Sequence, residues 1–315
     1  MQDSTQDPSP PLVPPAPARQ SVRRAWPREC ALLLVVVLMV LVALAGPALM
    51  QPAQYHDFAD QRALGFLPHA MDVLSNLPFA LWGLAGMWAL ARAIRLRAVG
   101  GAAAWLTGLF FGGLVVTAAV SAAYHWQPDN AGLVWDRGGM VLAFAGLLGL
   151  SALQSISTRA GMALAAAVLV LGPACVQVWA VSGNVLPWGV LQFGGLGLIV
   201  WLACLPSLST LPDGTEHPGE GLPIRWTLVI ALYALAKVLE LGDHWVFDGT
   251  GHIISGHSLK HVVASCAAWP LITALLDAQK IRAESSSPSQ TGQAAQATQV
   301  ATRAGRTTTE KRSQA

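Results

Sequence analysis

The sequence predicts an all-α, polytopic membrane protein: a bundle of seven core helices preceded by one extra N-terminal transmembrane helix. Of its 315 residues, 53% are hydrophobic and only 11% are charged, far from the composition of an average soluble domain. Eight apolar stretches are long enough to cross the hydrocarbon core of a bilayer. Few residues connect them, which favours one helical bundle over several separate domains.

The eight predicted spans are 30–50, 72–95, 101–125, 132–154, 159–182, 186–206, 224–242 and 258–277. Arg23, Arg24 and Arg28 precede the first span, as in a signal peptide, but no small-residue cleavage site follows it, so we interpret it as a retained signal anchor. Residues 1–26 and 283–315 are polar, without apolar periodicity, and are predicted to be disordered cytoplasmic tails. A single transmembrane domain, 27–282, remains, with its core at 55–277.

The arginines predict the orientation of the chain. With eight spans, one side of the membrane receives most of the basic residues near the span ends, and by the positive-inside rule this side is the cytoplasm. Both termini then lie in the cytoplasm. The residues used are Arg19, Arg23, Arg24, Arg28, Arg92, Arg95, Arg97, Arg159, Arg225, Lys280 and Arg282.

The cysteines and the charge pattern exclude some functions. Cys30, Cys175, Cys204 and Cys266 lie in or beside the spans without a CxxC pair, so they are interpreted as packing residues. No nucleic-acid signature is present, and no protein partner is implied.

Ionisable residues gather at the outer ends of four spans, where they are costly unless they have a function or a partner. Three of them are histidines, and His257 and His261 share one helical face because they are four residues apart. Together with His125, they can supply three imidazole nitrogens to one metal ion and leave a fourth position for water, as in catalytic zinc sites. Such an ion lowers the pKa of water to about 7. Each histidine alone also fits a half-solvated or hydrogen-bonded structural role.

Asp136 and Ser121 are the candidate catalytic residues beside this set. Asp136 follows His125 across a short turn and can accept a proton from water or orient an imidazole. Ser121 precedes His125 by one helical turn, so its hydroxyl can donate to an oxyanion. The alternative for Ser121 is a small packing residue, which is common in transmembrane helices.

Other polar residues receive different interpretations. Lys237 and Glu240 are spaced for a buried ion pair. Asp243 and His244 are a second candidate ligand set. The remaining positions are assigned to helix contacts or loops: Ser75, Asn76, His56 and His252.

These residues resemble the alkaline ceramidase family, part of a wider group of seven-span membrane hydrolases that includes the adiponectin and progestin receptors. The resemblance depends on SAAYH (121–125), the following Asp136, HSLKH (257–261) and MDVLSNLPF (71–79). It covers about residues 55–277 and leaves the first span as an addition.

The resemblance implies that His125, His257 and His261 bind zinc, that Asp136 binds or deprotonates water, and that Ser121 polarises the scissile carbonyl. The implied reaction is hydrolysis of the amide bond of a ceramide-like N-acyl lipid in the membrane. Eukaryotic members also bind calcium through an acidic motif before the first core helix. Here Arg62 and His69 accompany Asp57 and Asp60, which argues against calcium because an arginine repels a cation. Arg62 is expected to pair with Asp57 or Asp60.

Competing functions remain open. A receptor or sensor of the same fold would keep the metal without turnover, a haem protein would ligate iron through histidines, and a proton-coupled transporter would use Lys237, Glu240 and Asp136 as a relay. The missing calcium motif and the spans rich in Ala, Leu and Gly indicate a bacterial inner-membrane protein. Its site would then lie near the periplasmic face.

Overall fold

The computed structural model describes the backbone of residues 18–205 and 221–286, and the side chains of 25–205 and 221–284. Most of the two predicted tails lies outside the described residues. The described part is helical, with no β-strand, so the predicted all-α class is confirmed.

Twelve α-helices and one π-helical turn follow one another in the described part of the chain. They are α1 Ala18–Ala45, α2 Ala70–Leu74, α3 Leu77–Arg95, α4 Gly101–Trp126, α5 Asn130–Ser155, α6 Thr158–Ser182, α7 Leu186–Gly189, the π-helical turn Val190–Gly194, α8 Gly195–Ala203, α9 Trp226–Leu241, α10 Asp243–Gly249, α11 Gly256–Ser265 and α12 Ala268–Ser286.

Seven helical segments among the described residues are long and apolar enough to cross a bilayer, which confirms a polytopic helical bundle. The predicted span 224–242 forms α9, whose 16 residues extend about 24 Å, less than the ~30 Å hydrocarbon core. It is therefore shorter than the other spans. The first span ends at Ala45 instead of residue 50, because Gly46 and Pro47 follow and proline disfavours helix at the preceding residue.

Helix pairs α4–α5 and α5–α6 form the centre of the bundle. Glycines allow the backbones of α4 and α5 to approach closely. A Cβ on Gly146 would lie 2.5 Å from the Phe110 backbone nitrogen, and one on Gly113 would overlap the Ala143 backbone. Because α4 ends at Trp126 and α5 starts at Asn130, this tight hairpin fixes His125 and Asp136 at the same end of the bundle.

Two predicted spans are interrupted near that end. The span at 72–95 divides into α2 and α3, where Pro78 in the first turn of α3 cannot donate to the carbonyl four residues earlier. The span at 258–277 divides into α11 and α12, where Pro270 follows the break at Cys266 in the same way. Short helices α2 and α11 thus meet the α4–α5 hairpin as separate units.

Side chains at the N-caps of α5 and α11 bond the first turns of these two helices. Asp129 accepts a hydrogen bond from the Gly132 nitrogen at α5, and Ser255 accepts one of 3.0 Å from the Ser258 nitrogen at α11. Such caps satisfy the free N–H groups of a helix start. They fix where α5 and α11 begin, and therefore where Asp136 and His257 lie.

Candidate metal centre

Three buried histidines meet at one end of the bundle. His125 is in the last turn of α4, and His257 and His261 occupy the first two turns of α11. Helix α11 itself packs between α9 and α3. The predicted meeting of imidazoles from two distant spans is therefore present in the structure.

The imidazoles are close enough to share one ion. One ring nitrogen from each lies within 4.8 Å of the other two, and the His125 and His257 Nε2 atoms are 3.2 Å apart. Nitrogens bound tetrahedrally at 2.0–2.1 Å to one zinc ion are about 3.3–3.4 Å apart. The Nε2 atoms of His125 and His257 therefore have nearly the separation of two nitrogens bound to one zinc ion. Among the described residues, no carboxylate belongs to this group.

Hydrogen bonds around His261 fix which nitrogen is available to an ion. The Ser75 hydroxyl donates to the Asp72 carbonyl oxygen at 2.9 Å and lies 2.8 Å from His261 Nδ1. Because the serine proton is used, Nδ1–H donates to Ser75 and Nε2 keeps its lone pair. This is the arrangement of a metal-ligating histidine with an outer partner. The sequence interpretation gave Ser75 a helix contact without identifying His261 as its partner.

Asp72 connects α2 with the start of α11. Its side chain is fully buried, and its Oδ1 accepts a 2.6 Å hydrogen bond from the Ser258 hydroxyl. Its Oδ2 has no hydrogen-bond partner among the described residues. Asp72 holds α2 against the helix that carries two of the three histidines. It lies within the MDVLSNLPF motif, but the sequence analysis assigned it no role.

Phe58 covers the histidines from the segment before α2. Its ring centroid is 4.3 Å from that of His257 and 4.8 Å from that of His125, and its side chain is buried. The next residue, Ala59, donates its backbone N–H to Asp243. Phe58 therefore excludes water from one side of the cluster, a contact that no periodicity in the sequence indicates.

Ser121 and Asp136 lie together on the α4–α5 hairpin that carries His125. Ser121 is buried on α4, and its hydroxyl faces the carboxylate of Asp136 on α5. Asp136 is half-buried and interacts electrostatically with Lys260 on α11. The structure thus places both candidate catalytic residues next to each other, on the two helices of the hairpin that carries His125.

Lys237 and Glu240 form the predicted ion pair, and Lys260 joins them. Glu240 accepts a 2.6 Å hydrogen bond from each lysine, which joins α9 to α11. The three side chains are 18–26% exposed. In this lysine–glutamate cluster, Lys260 thus has Glu240 as a direct partner and also interacts with Asp136, which is why it is tolerated in an apolar span.

Asp243 and His244 are hydrogen-bonded to backbone groups of the protein and lie outside the three-histidine group. Asp243 accepts hydrogen bonds from the backbone nitrogens of His257 and Ala59, at 2.7 and 2.9 Å. His244 is hydrogen-bonded to the Asp57 carbonyl oxygen at 3.2 Å. Asp243 therefore positions α11 and the Phe58 segment, and neither residue belongs to the group of three ligands.

The remaining candidate histidines lie in loops, as predicted. His56 bonds the Tyr124 hydroxyl and the Asn130 side chain at 2.8 and 2.9 Å. His252 lies 3.1 Å from the exposed Asp248. Both therefore have partners outside the group of three ligands.

Arg62 pairs with Asp60, one of its two expected partners. Its Nη2 lies 2.6 Å from Asp60 Oδ2, and its Nε donates to Oδ1 at 2.8 Å. Burial opposes ionisation of Asp60, but the hydrogen bonds and charge of Arg62 outweigh it, so the pKa of Asp60 lies below its usual 3.8. Both oxygens of this carboxylate are thus engaged by an arginine.

Comparisons with protein-family models, with characterised proteins and with solved structures find no match to this chain. The resemblance to the alkaline ceramidases therefore stays a prediction from the motifs. The structure itself shows a group of three histidines that could hold a metal ion, in a bundle of helices long and apolar enough to span a membrane.

Proposed function

We propose that the protein is a zinc-dependent integral membrane hydrolase that cleaves the amide bond of a ceramide-like N-acyl lipid. The observation that carries the proposal is the buried group of His125, His257 and His261, with one nitrogen of each within 4.8 Å of the others. Three neutral imidazoles suit zinc, which is of borderline softness and accepts nitrogen ligands. A zinc ion held there supplies a Lewis acid and makes water acidic enough to react at neutral pH.

The surrounding residues supply the other parts of an amide hydrolysis. Ser75 keeps the His261 ring in the orientation that exposes Nε2. In the proposed reaction Asp136 accepts the proton of the attacking water and returns it to the leaving amine. In the same reaction Ser121 turns its hydroxyl from Asp136, which it faces in this structure, to the carbonyl oxygen and donates a hydrogen bond as negative charge develops there.

A small apolar cavity marks one place between helices where the lipid chain of the proposed substrate would be received. It lies between α5, α8 and α9 and is lined by side chains that include Phe144, Leu147, Leu191, Ile199, Ile230 and Tyr233. Tyr233 is on the same helix as Lys237 and Glu240, one to two turns from them. Its volume of about 30 Å³ is far below the roughly 300–1,000 Å³ of ligand pockets, so α5, α8 and α9 must move apart to admit a hydrocarbon chain there.

Localisation is part of the proposal. With the arginine distribution described above, the metal centre faces the periplasm of a bacterial inner membrane and both termini are cytoplasmic. A substrate in the outer leaflet of that membrane reaches the centre from the side, between helices.

The proposal is tested by metal content and turnover of the purified protein in neutral detergent. The wild-type protein should contain about one zinc per chain and release fatty acid from a long-chain ceramide, detected by mass spectrometry. His257→Ala should lose both properties. His252→Ala is the matched control, because His252 is an exposed loop histidine bonded to Asp248, and it should keep both.

Two results separate the proposal from its alternatives. Turnover in His257→Ala equal to that in His252→Ala would exclude the metal-dependent mechanism. Zinc without turnover of any N-acyl lipid would favour a receptor or sensor, which the covering of His125 and His257 by Phe58 also suits.

A further inference from the structure

Arg137 is a buried cation with no anionic partner within 4.0 Å among the described residues. It lies on α5 and is 1% exposed, the largest of the fully buried side chains. Its Nε and Nη1 have no hydrogen-bond acceptor in the described part of the chain. A guanidinium stays ionised in proteins, so burial cannot be relieved by loss of its proton. Buried hydrogen-bond donors without an acceptor are rare in proteins, and within the described residues two of them belong to this one cation.

Aromatic rings surround the faces of this guanidinium. Its central carbon is 4.1 Å from the ring centroid of Trp179, 5.3 Å from that of Tyr55 and 5.7 Å from that of Trp188. Rings attract the cation through their π faces, but they accept no hydrogen bond along its edges. The aromatic box thus holds a planar charged group and leaves its N–H donors for another partner.

Gln51 supplies the only hydrogen bond that Arg137 makes among the described residues. Its Oε1 accepts from Nη2 at 2.8 Å. In a guanidinium, Nε–H and one N–H of Nη2 point along the same edge, which matches the two oxygens of a carboxylate. Gln51 therefore engages half of this fork with a neutral, planar amide. Gln51 is half-buried in the segment before α2, so its side chain has access to the outside.

The surroundings place this fork at the level of lipid head groups. Trp126 and Trp135, at the adjoining ends of α4 and α5, are 46% and 70% exposed. Exposed tryptophans at helix ends are typical of the membrane–water interface. An amphiphile lying in the membrane would present its head group at this depth.

We propose that Arg137 binds the carboxylate of a lipid, whose two oxygens take Nε and Nη2 in place of the Gln51 amide. The flat carboxylate has nearly the shape of that amide and adds a negative charge in direct contact with the guanidinium, whereas the neighbouring Asp136 acts on Arg137 only electrostatically. This site lies outside the histidine group and does not depend on the metal centre. The inference therefore stands or fails separately from the proposed hydrolysis.

The test compares three probes with the purified full-length protein in neutral detergent. Oleate carries both a chain and a carboxylate, oleyl alcohol has the chain alone, and acetate has the carboxylate alone. Oleate should raise the melting temperature and bind in native mass spectrometry, and each of the other two should bind at least about tenfold more weakly. Equal binding of oleyl alcohol would show apolar adsorption and overturn the proposal. If acetate bound as tightly as oleate, the carboxylate would not need a lipid chain, and the proposal of a lipid ligand would be wrong.

Substitutions of Arg137 and Gln51 test whether these residues form the oleate site. Arg137→Gln should weaken oleate binding at least tenfold, whereas Arg159→Gln, at an exposed arginine paired with Glu29, should not. Gln51→Ala removes the competing amide and should strengthen oleate binding several-fold. Gln51→Glu supplies a resident carboxylate, so it should raise the melting temperature without ligand and abolish the response to oleate.

The Gln51 variants keep the proposal testable if Arg137→Gln does not fold. Unchanged oleate affinity in both Gln51→Ala and Gln51→Glu would overturn it. The same measurements in His257→Ala should give wild-type oleate affinity. Loss of oleate binding there would place the lipid at the metal centre instead.

Discussion

Lys260 and His261 are neighbours on α11, but their surroundings differ. Lys260 belongs to the lysine–glutamate cluster, in which Glu240 bonds both lysines at 2.6 Å. His261 belongs to the histidine cluster, where its Nδ1 meets Ser75 and its Nε2 side faces two further imidazoles. One cluster is complete with the protein's own groups. The other gathers three imidazole nitrogens that converge on one point, with one hydrogen bond, between His125 and His257, linking two of them.

This difference separates a structural polar cluster from a binding site. A buried charge stabilises a fold only when protein groups satisfy it, and the lysine–glutamate cluster meets that condition. Three neutral imidazoles share a hydrogen bond between the Nε2 atoms of His125 and His257, but no opposite charges hold them together. Their arrangement is understandable when a cation is the missing partner. Arg137 is the reverse case, a buried cation with no anion within 4.0 Å among the described residues.

Glu240→Gln should break the lysine–glutamate cluster and give the largest loss of stability. Two lysines would then lose their hydrogen-bonded counter-charge, and Lys260 would keep only electrostatic interactions such as the one with Asp136. Because the side chains are about a fifth exposed, we expect a cost of about 2–3 kcal/mol, below the 3–5 kcal/mol of fully buried pairs. Thermal unfolding in detergent measures it, and the zinc content should stay at the wild-type level.

Asp248→Asn is the control for this variant, because Asp248 is 73% exposed beside His252 and such pairs contribute little. A Glu240→Gln protein that unfolds normally but lacks zinc would contradict the separation of the two clusters.

Ser75→Ala should weaken the histidine cluster without breaking the fold. His261 would lose the partner of its Nδ1, and loss of such an outer partner typically costs 10–100-fold in metal affinity. A chelator competition titration measures this affinity. Ser75→Thr keeps a hydroxyl and should recover most of it.

Ser151→Ala is the matched control for Ser75→Ala. Ser151 is also buried in a span, but its hydroxyl donates to Leu148 within its own helix. If the two alanine variants bind zinc equally well, Ser75 has no positioning role.

The sequence predicted the histidine cluster because two simple rules are enough. His257 and His261 share a helical face, and the order of the spans brings His125 to the same end of the bundle. The Lys237–Glu240 pair follows from spacing within one helix. Lys260 bonds Glu240 across two helices, 20 residues apart, and spacing says nothing about such a contact.

The contacts of Ser75, Phe58 and Asp72 could not be predicted for a similar reason. Each depends on how α2 and the segment before it are placed against α11. That placement follows from the break between α2 and α3 at Ser75 and Asn76. The hydropathy of 72–95 is continuous across the break, so it indicated one uninterrupted span. Pro78 is the signal that could have located it.

Asp60 gives the smallest expected effect, because its partner Arg62 is half-exposed and water screens the pair. The depressed pKa of Asp60 contributes stability above its unfolded value of about 3.8, and this contribution is lost as the pH falls through the lower folded value. Arg62→Gln removes the groups that depress the pKa, so acid unfolding should begin at a higher pH, by a fraction of a pH unit. Circular dichroism during acid titration measures the midpoint of acid unfolding.

Arg95→Gln is the control, at an exposed arginine in the last turn of α3, and it should leave this midpoint unchanged. An equal midpoint in the two variants would mean that Asp60, unlike Glu240, gains no stability from its cation.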